Sequence, residues 1–171
     1  MAERFVKVVR DYLTLVDGLP GLTAIEFLSQ CAILVPQIYA LSQQLPDIEL
    51  TDDEVSEESE DEPEPPMGKI HTLLGKYDLY AEVFDPVFDE AALKTTISDD
   101  LSDIYTDLKR HLSKYDSGDE HKQRIAIWEW KFHMKIHWGH HAVGVLRPIH
   151  SLVHDHLDPE FHDEESNTLE S

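Results

Sequence analysis

Residues 3–16 place Phe5, Val8, Val9, Tyr12, Leu13 and Val16 three and four apart, the spacing that gathers side chains on one face of an α-helix. Gly18-Leu19-Pro20-Gly21 ends that pattern. Thr23 followed by Glu26 reads as a capping box opening a mostly apolar helix over about 24–45 (Ile25, Phe27, Leu28, Ile33, Leu34, Val35, Ile38, Tyr39, Leu41). Pro36 inside it removes one ladder hydrogen bond and predicts a kink. After Met67, the trio Ile70, Leu73 and Leu74 predicts a short helix. The aromatic-rich stretch 77–93, interrupted by Asp85-Pro86, reads as turns and short helical pieces. Ser98 is the expected N-cap of a helix over about 99–115, with Leu101, Ile104, Tyr105, Leu108 and Leu112 as its buried stripe and Ser117-Gly118 as its end. A long tryptophan-rich helix over about 119–146 follows. Pro148 is expected to break or kink it, with 149–157 continuing as a short helix. With no strand-like alternation longer than a few residues and no internal repeat, the fold class is all-α. The expected architecture is a single-domain bundle of five to six helices with a long C-terminal His/Trp-rich helix.

Composition changes this picture at two places. The 171 residues carry a formal charge of −21, from 35 acids against 14 Lys and Arg, yet the charge is unevenly spread. Residues 46–66 hold 11 acids, four prolines and no base, too little apolar surface to offset the entropy of ordering. They read as an exposed, flexible acidic linker between an N-terminal helical pair (1–45) and the helical remainder of the same domain (67–157). A second acidic stretch, the tail 158–171, closes the chain. Outside 46–66 and 155–171 the balance is 17 acids to 14 bases, so the acidity belongs to the appendages. An acidic surface argues against docking on anionic membranes and against non-specific nucleic-acid binding, the latter less strongly for the near-neutral core. It suits a protein partner, including a basic one. The single cysteine, Cys31, excludes an intramolecular disulfide framework and reads as inert core. Charges run through residues 1–17 and no stretch resembles a secretory h-region or a membrane span, so the expected location is the cytoplasm.

The chemistry concentrates in histidine. Seven of the 11 histidines lie between 133 and 156. Along the last long helix Glu129, His133, His137, His140, Gly144 and Arg147 are separated by 4, 4, 3, 4 and 3 residues, one narrow face at about 100° per residue. Arg124, Lys131 and Lys135 take the opposite side, which directs the histidine stripe inward. Three readings suit a buried line of this kind. Imidazoles at i and i+4 can hold a divalent transition metal, here His133, His137 and His140, with Asp100 or Asp107 of the preceding helix completing the shell. A histidine tuned by burial beside a carboxylate can do acid–base work. The same residues can also form a structural polar network of Glu129, Arg147, His111, Asp103 and Tyr105. No HExxH, paired ExxH or CxxC accompanies them, and no catalytic residue is assigned. His141 and His150 read as interfacial. His154, His156 and His162 read as solvated, Trp128, Trp130 and Trp138 as core anchors, and Asp85, Asp89 and Glu90 as caps or turn residues.

Three blocks, YDLYAEVFDP (77–86), DDLSDIYTDLKRHLSKYDSG (99–118) and WEWKFHMKIHWGHHAVGVLRPIH (128–150), resemble a bacterial family of uncharacterised all-helical proteins, a domain-of-unknown-function family. The resemblance is best over 67–152 and weak over 1–45. It implies a soluble, single-domain helical protein and brings no activity, cofactor or partner with it. It marks Asp100, Asp103, Asp107, His137, His140 and Arg147 as family-pattern positions. The expected function is a non-enzymatic interaction or regulatory module, immunity-type proteins included. The alternative is a metal-binding protein or metal-dependent enzyme using a His/Asp site between the last two long helices. A further reading folds residues 46–66 over the Arg124/Lys131/Lys135 stripe.

Overall fold

The computed structural model describes residues 2–51, 63–83, 87–88 and 91–157. Helix α1 (Ala2–Asp17) buries Phe5, Val9, Tyr12 and Val16, the face its spacing marks. A 3-10 turn at Leu19–Gly21 carries Pro20 near its start, where a missing N–H does no harm. Helix α2 (Ala24–Ser42) opens on the expected capping box: the Thr23 hydroxyl accepts from the Glu26 N–H (3.4 Å) and the Glu26 carboxylate accepts from the Thr23 N–H (2.8 Å). By length and composition alone α2 could cross a membrane, contrary to the expectation that no stretch resembles a span. In the fold it is a core helix, with Phe27, Leu28, Cys31 and Val35 fully buried. It continues through Pro36 without interruption and ends at Ser42, short of residue 45.

The acidic segment is described only at its ends. Lys131 donates to the Leu45 carbonyl (2.7 Å) and to Asp47 (2.6 Å), and Arg124 donates to the Glu49 carbonyl (3.3 Å). The first residues of the segment therefore lie along the basic stripe. Residues 52–62 and the tail from 158, with His162, lie outside the described residues.

Chain order continues with α3 (Met67–Leu74), a 3-10 turn at Gly75–Tyr77, and two four-residue strands where turns and helical pieces were expected. Strand β1 (Leu79–Glu82) pairs antiparallel with β2 (Leu93–Thr96), Leu79 opposite Thr96 and Glu82 opposite Leu93. Strands this short show no alternation that a sequence window can detect. Asp85, Asp89 and Glu90 lie outside the described residues. Helix α4 (Ile97–Arg110) starts earlier than expected because Thr96, not Ser98, caps it: the Thr96 hydroxyl accepts from the Asp99 N–H at 3.2 Å. Ser98 instead turns to the buried Asp78, giving its N–H to Oδ1 and its hydroxyl to Oδ2, both at 2.7 Å. That pair of bonds ties the start of β1 to the first turn of α4. After His111 a short helix α5 (Leu112–Asp116) completes the segment.

The long C-terminal helix expected over 119–146 is two helices, α6 (Glu120–Ile136) and α7 (Trp138–Ser151). His137 between them has φ −143° and ψ −93°, outside the helical region. The chain passes close to itself here: a Cβ at Gly139 would overlap the Met134 carbonyl oxygen. Only glycine fits that approach. Of the break or kink expected at Pro148, the break does not occur. Helix α7 runs through that residue into a wider π-helical turn at Leu152–His156, with Ile149 and Leu152 buried. Helix α7 packs against α4 and against α2, with α6 alongside. Trp130 and Trp138 are fully buried, and their indole N–H groups donate to the carbonyls of Leu108 (3.0 Å) and Trp130 (3.2 Å). Two apolar anchors with satisfied polar tips thus lock the α6–α7 corner onto α4.

Candidate metal centre

Asp100, Asp103 and Asp107 stand at i, i+3 and i+7 on α4 and share one face. That face meets the α6–α7 corner, where His133 lies on the last turn of α6, His137 at the break, and His141 on the first turn of α7. Acids and imidazoles alternate along the seam. His133 Nδ1 lies 3.3 Å from Asp107 Oδ1, and His137 Nδ1 lies 2.7 Å from Asp107 Oδ2. His137 Nε2 and His141 Nε2 lie 3.9 and 3.2 Å from Asp103 Oδ2, and His141 Nδ1 lies 2.8 Å from Asp100 Oδ1.

Asp107 and Asp100 are buried acceptors, so the ring nitrogens facing them donate: His137 and His141 each carry a proton on Nδ1. Their Nε2 atoms are left to meet Asp103. The two rings stand edge to face, centroids 5.0 Å apart, and the ligand atoms offered by Asp103, His137 and His141 all lie within 4.8 Å of one another. Atoms bound at about 2.1 Å to one tetrahedral ion are separated by roughly 3.4 Å, near the 3.2 and 3.9 Å between Asp103 Oδ2 and the two imidazole nitrogens. In a metal site, a carboxylate behind each imidazole is the arrangement that fixes the tautomer and raises ligand basicity.

The charges support one another. Burial alone would raise the Asp107 carboxyl, but hydrogen bonds from His133 and His137 outweigh it and hold it below its ordinary value. Burial alone would lower His141, but the Asp100 hydrogen bond and the charges of Asp100, Asp103 and Asp99 raise it. Asp103, with less help, is raised, mainly by burial. At the far end Glu129 Oε2 lies 2.9 Å from His111 Nδ1, and both Glu129 oxygens accept from Lys114 (3.1 and 3.2 Å). Burial opposes ionisation of Glu129, and these partners hold it low. His111 in turn stands edge-on to His133, centroids 5.3 Å apart.

Strand β1 adds two groups. The Tyr80 hydroxyl lies 2.6 Å from Asp100 Oδ2 and 3.1 Å from Glu82 Oε2. The Glu82 carboxylate rests on Gly144, where a Cβ would fall on it. A cleft of about 720 Å³, lined in part by Tyr39, Val83, Val143 and Glu82, runs past His137 and His141.

Several expected members are placed differently. His140 points to solvent, and His141 takes the position assigned to it. Arg147 is also exposed and joins no part of the seam. Tyr105 donates to Asp17 (2.6 Å) on another face of α4. Asp103, read as a network member, stands at the centre, whereas Asp100 and Asp107 lie behind the imidazoles. His133, His111 and Glu129 belong to the network. Tyr80 and Glu82 were missed. Their available signal was position: both fall in the block YDLYAEVFDP that carries the family resemblance.

The chain matches the family model described as Domain of unknown function (DUF5063) over residues 1–155. Among curated proteins none matches. The crystal structure of protein BF1032 from Bacteroides fragilis is similar, with a TM-score of 0.73, 19% identity, and coverage of 89% of this chain and 91% of that one. At this identity the likeness extends to the fold.

Proposed function

We propose that the chain, which belongs to this domain-of-unknown-function family, binds one divalent transition-metal ion through Asp103, His137 and His141. The observation that carries this reading is the shared orientation of the two imidazoles. Each gives its Nδ1 proton to a buried aspartate, and both Nε2 atoms turn toward one carboxylate oxygen. Two nitrogens and one oxygen suit zinc, iron, nickel or manganese, and three protein ligands leave coordination positions for water or a small molecule. Such an ion would act as a Lewis acid or lower the pKa of a bound water. The interaction-module reading draws on the acid excess together with the lack of a recognisable catalytic motif in the sequence, and the geometry of the seam does not bear on it.

The test is metal analysis of untagged protein with titration of Zn(II), Ni(II) and Mn(II) into the chelator-treated chain. The expected result is one equivalent bound, with His137→Ala and His141→Ala weakening binding roughly a hundredfold or more and His140→Ala changing it less than about twofold. Sub-stoichiometric binding of every ion, or equal losses from His140→Ala and His141→Ala, would overturn the proposal.

A further inference from the structure

Each aspartate behind the centre has two buried oxygens to satisfy, and the second partner differs. Asp107 gives one oxygen to His137 (2.7 Å) and the other to His133 (3.3 Å), so the last turn of α6 and the break that follows it hold it from two positions. Asp100, 2% exposed, gives Oδ1 to His141 (2.8 Å) and Oδ2 to the Tyr80 hydroxyl (2.6 Å), which arrives from a different element. We infer that Tyr80 is a positioning residue of the metal centre: it clamps Asp100, and through Asp100 it holds the His141 ring with Nε2 toward Asp103 and His137. This inference rests on the metal-binding reading.

Three observations carry it. The first is that β1 is secured at both ends of the relevant stretch. Asp78, just before the strand, accepts from the Ser98 N–H and hydroxyl at 2.7 Å, and Tyr80 stands opposite Thr95 in the ladder. The phenol is therefore held by backbone pairing. The second is a proton count. A phenol has a single proton, and Asp100 takes it at 2.6 Å. The 3.1 Å contact with Glu82 is then a hydrogen bond only when Glu82 supplies a proton of its own. Burial raises the Glu82 carboxyl, the Tyr80 hydrogen bond and the His141 charge oppose this, and the Asp100 charge adds to it. The phenol proton is thus committed to Asp100 Oδ2, which leaves Oδ1 to His141. The third is that burial and the Asp100 hydrogen bond both raise the Tyr80 phenol, so it remains a donor at every ordinary pH.

The experiment is a double-mutant cycle on Zn(II) affinity, measured by chelator competition, with Tyr80→Phe and Asp100→Asn. Tyr80→Phe keeps the ring and removes only the hydroxyl. The expected loss is about tenfold in the wild-type background and none in the Asp100→Asn background, because the hydroxyl acts through that carboxylate. Equal losses in both backgrounds, or no loss in either, overturn the role of Tyr80 while leaving metal binding in place. Absence of Zn(II) binding by the wild-type chain overturns the parent reading, and this inference with it. A metal-free readout stands beside the cycle. In ¹⁵N spectra of the neutral ring, His141 is expected as the Nδ1–H tautomer, shifting toward a mixture in Tyr80→Phe. A wild-type ring protonated on Nε2 overturns the assignment even if the variant fails to fold.

Discussion

Replacing Gly139 with alanine should destabilise the protein, against the usual sign of that change in a helix. In an ordinary helix interior, alanine is about 1 kcal/mol better than glycine. Here the added Cβ would stand 3.1 Å from the Met134 carbonyl carbon and 3.4 Å from its Cγ, and it would overlap the carbonyl oxygen. The obstruction is main chain from the last turn of α6, so no rotamer change relieves it. Neither helix can withdraw freely, because Trp130 and Trp138 are fully buried and joined by the 3.2 Å indole-to-carbonyl bond. Overpacking a well-filled site costs about 1–3 kcal/mol, and moving α7 outward would add lost burial at Trp138. After the propensity gain, the net loss comes to about 2 kcal/mol. Urea denaturation followed by tryptophan fluorescence and far-UV circular dichroism measures it. With a slope near 2 kcal/mol/M, the midpoint should fall by about 1 M at unchanged slope. A midpoint equal to or above wild type would show that the chain does not make this close approach. The break at His137 would then not be what sets the histidine register.

Gly144→Ala should behave oppositely. Its Cβ meets only the movable end of Glu82, so the melting temperature should hold or rise while the Glu82 carboxyl signal in ¹³C spectra shifts toward that of a solvated glutamate. Stability of the metal-free protein should depend on pH with two limbs. Asp107 and Glu129 are held below their ordinary values. Their contributions are present above the unfolded values of about 3.9 and 4.3 and are lost as pH falls through the folded ones. His141 is raised. Its contribution is complete below about pH 6.5 and is lost as pH rises through its folded value, and the raised Asp103 and Glu82 slope the same way. Urea midpoints between pH 3 and 9 should therefore pass through a maximum on the acid side of neutrality. His141→Gln should flatten the alkaline limb and Asp107→Asn the acid limb; limbs unchanged by either variant would refute the assignment.

Much of the frame is a property of the sequence alone. The faces of α1 and α4, the capping box at Thr23 and the inward aspartates follow from local rules: side chains 3.6 residues apart share a face, and a hydroxyl three residues before a free N–H can cap it. Those rules also direct His133 and His137 toward α4. They could not choose between His140 and His141. In a continuous helix these two lie about 60° and 40° to either side of His137, and the regular 4-4-3-4-3 stripe selects His140, whereas the fold turns His141 to the seam. The choice was made where α6 and α7 part. A local periodicity assumes an unbroken axis, and the close approach of Met134 to Gly139 depends on both helices docking onto α4 through Trp130 and Trp138. Tyr80 was hidden for a related reason. Its strand is only four residues long and acquires its position from pairing with β2 and from Asp78 gripping Ser98, contacts made across about 20 residues of chain. The sequence by itself determined which groups could meet on a helix face. Which of them do meet was decided by tertiary packing, because one non-helical residue re-aims every side chain that follows it.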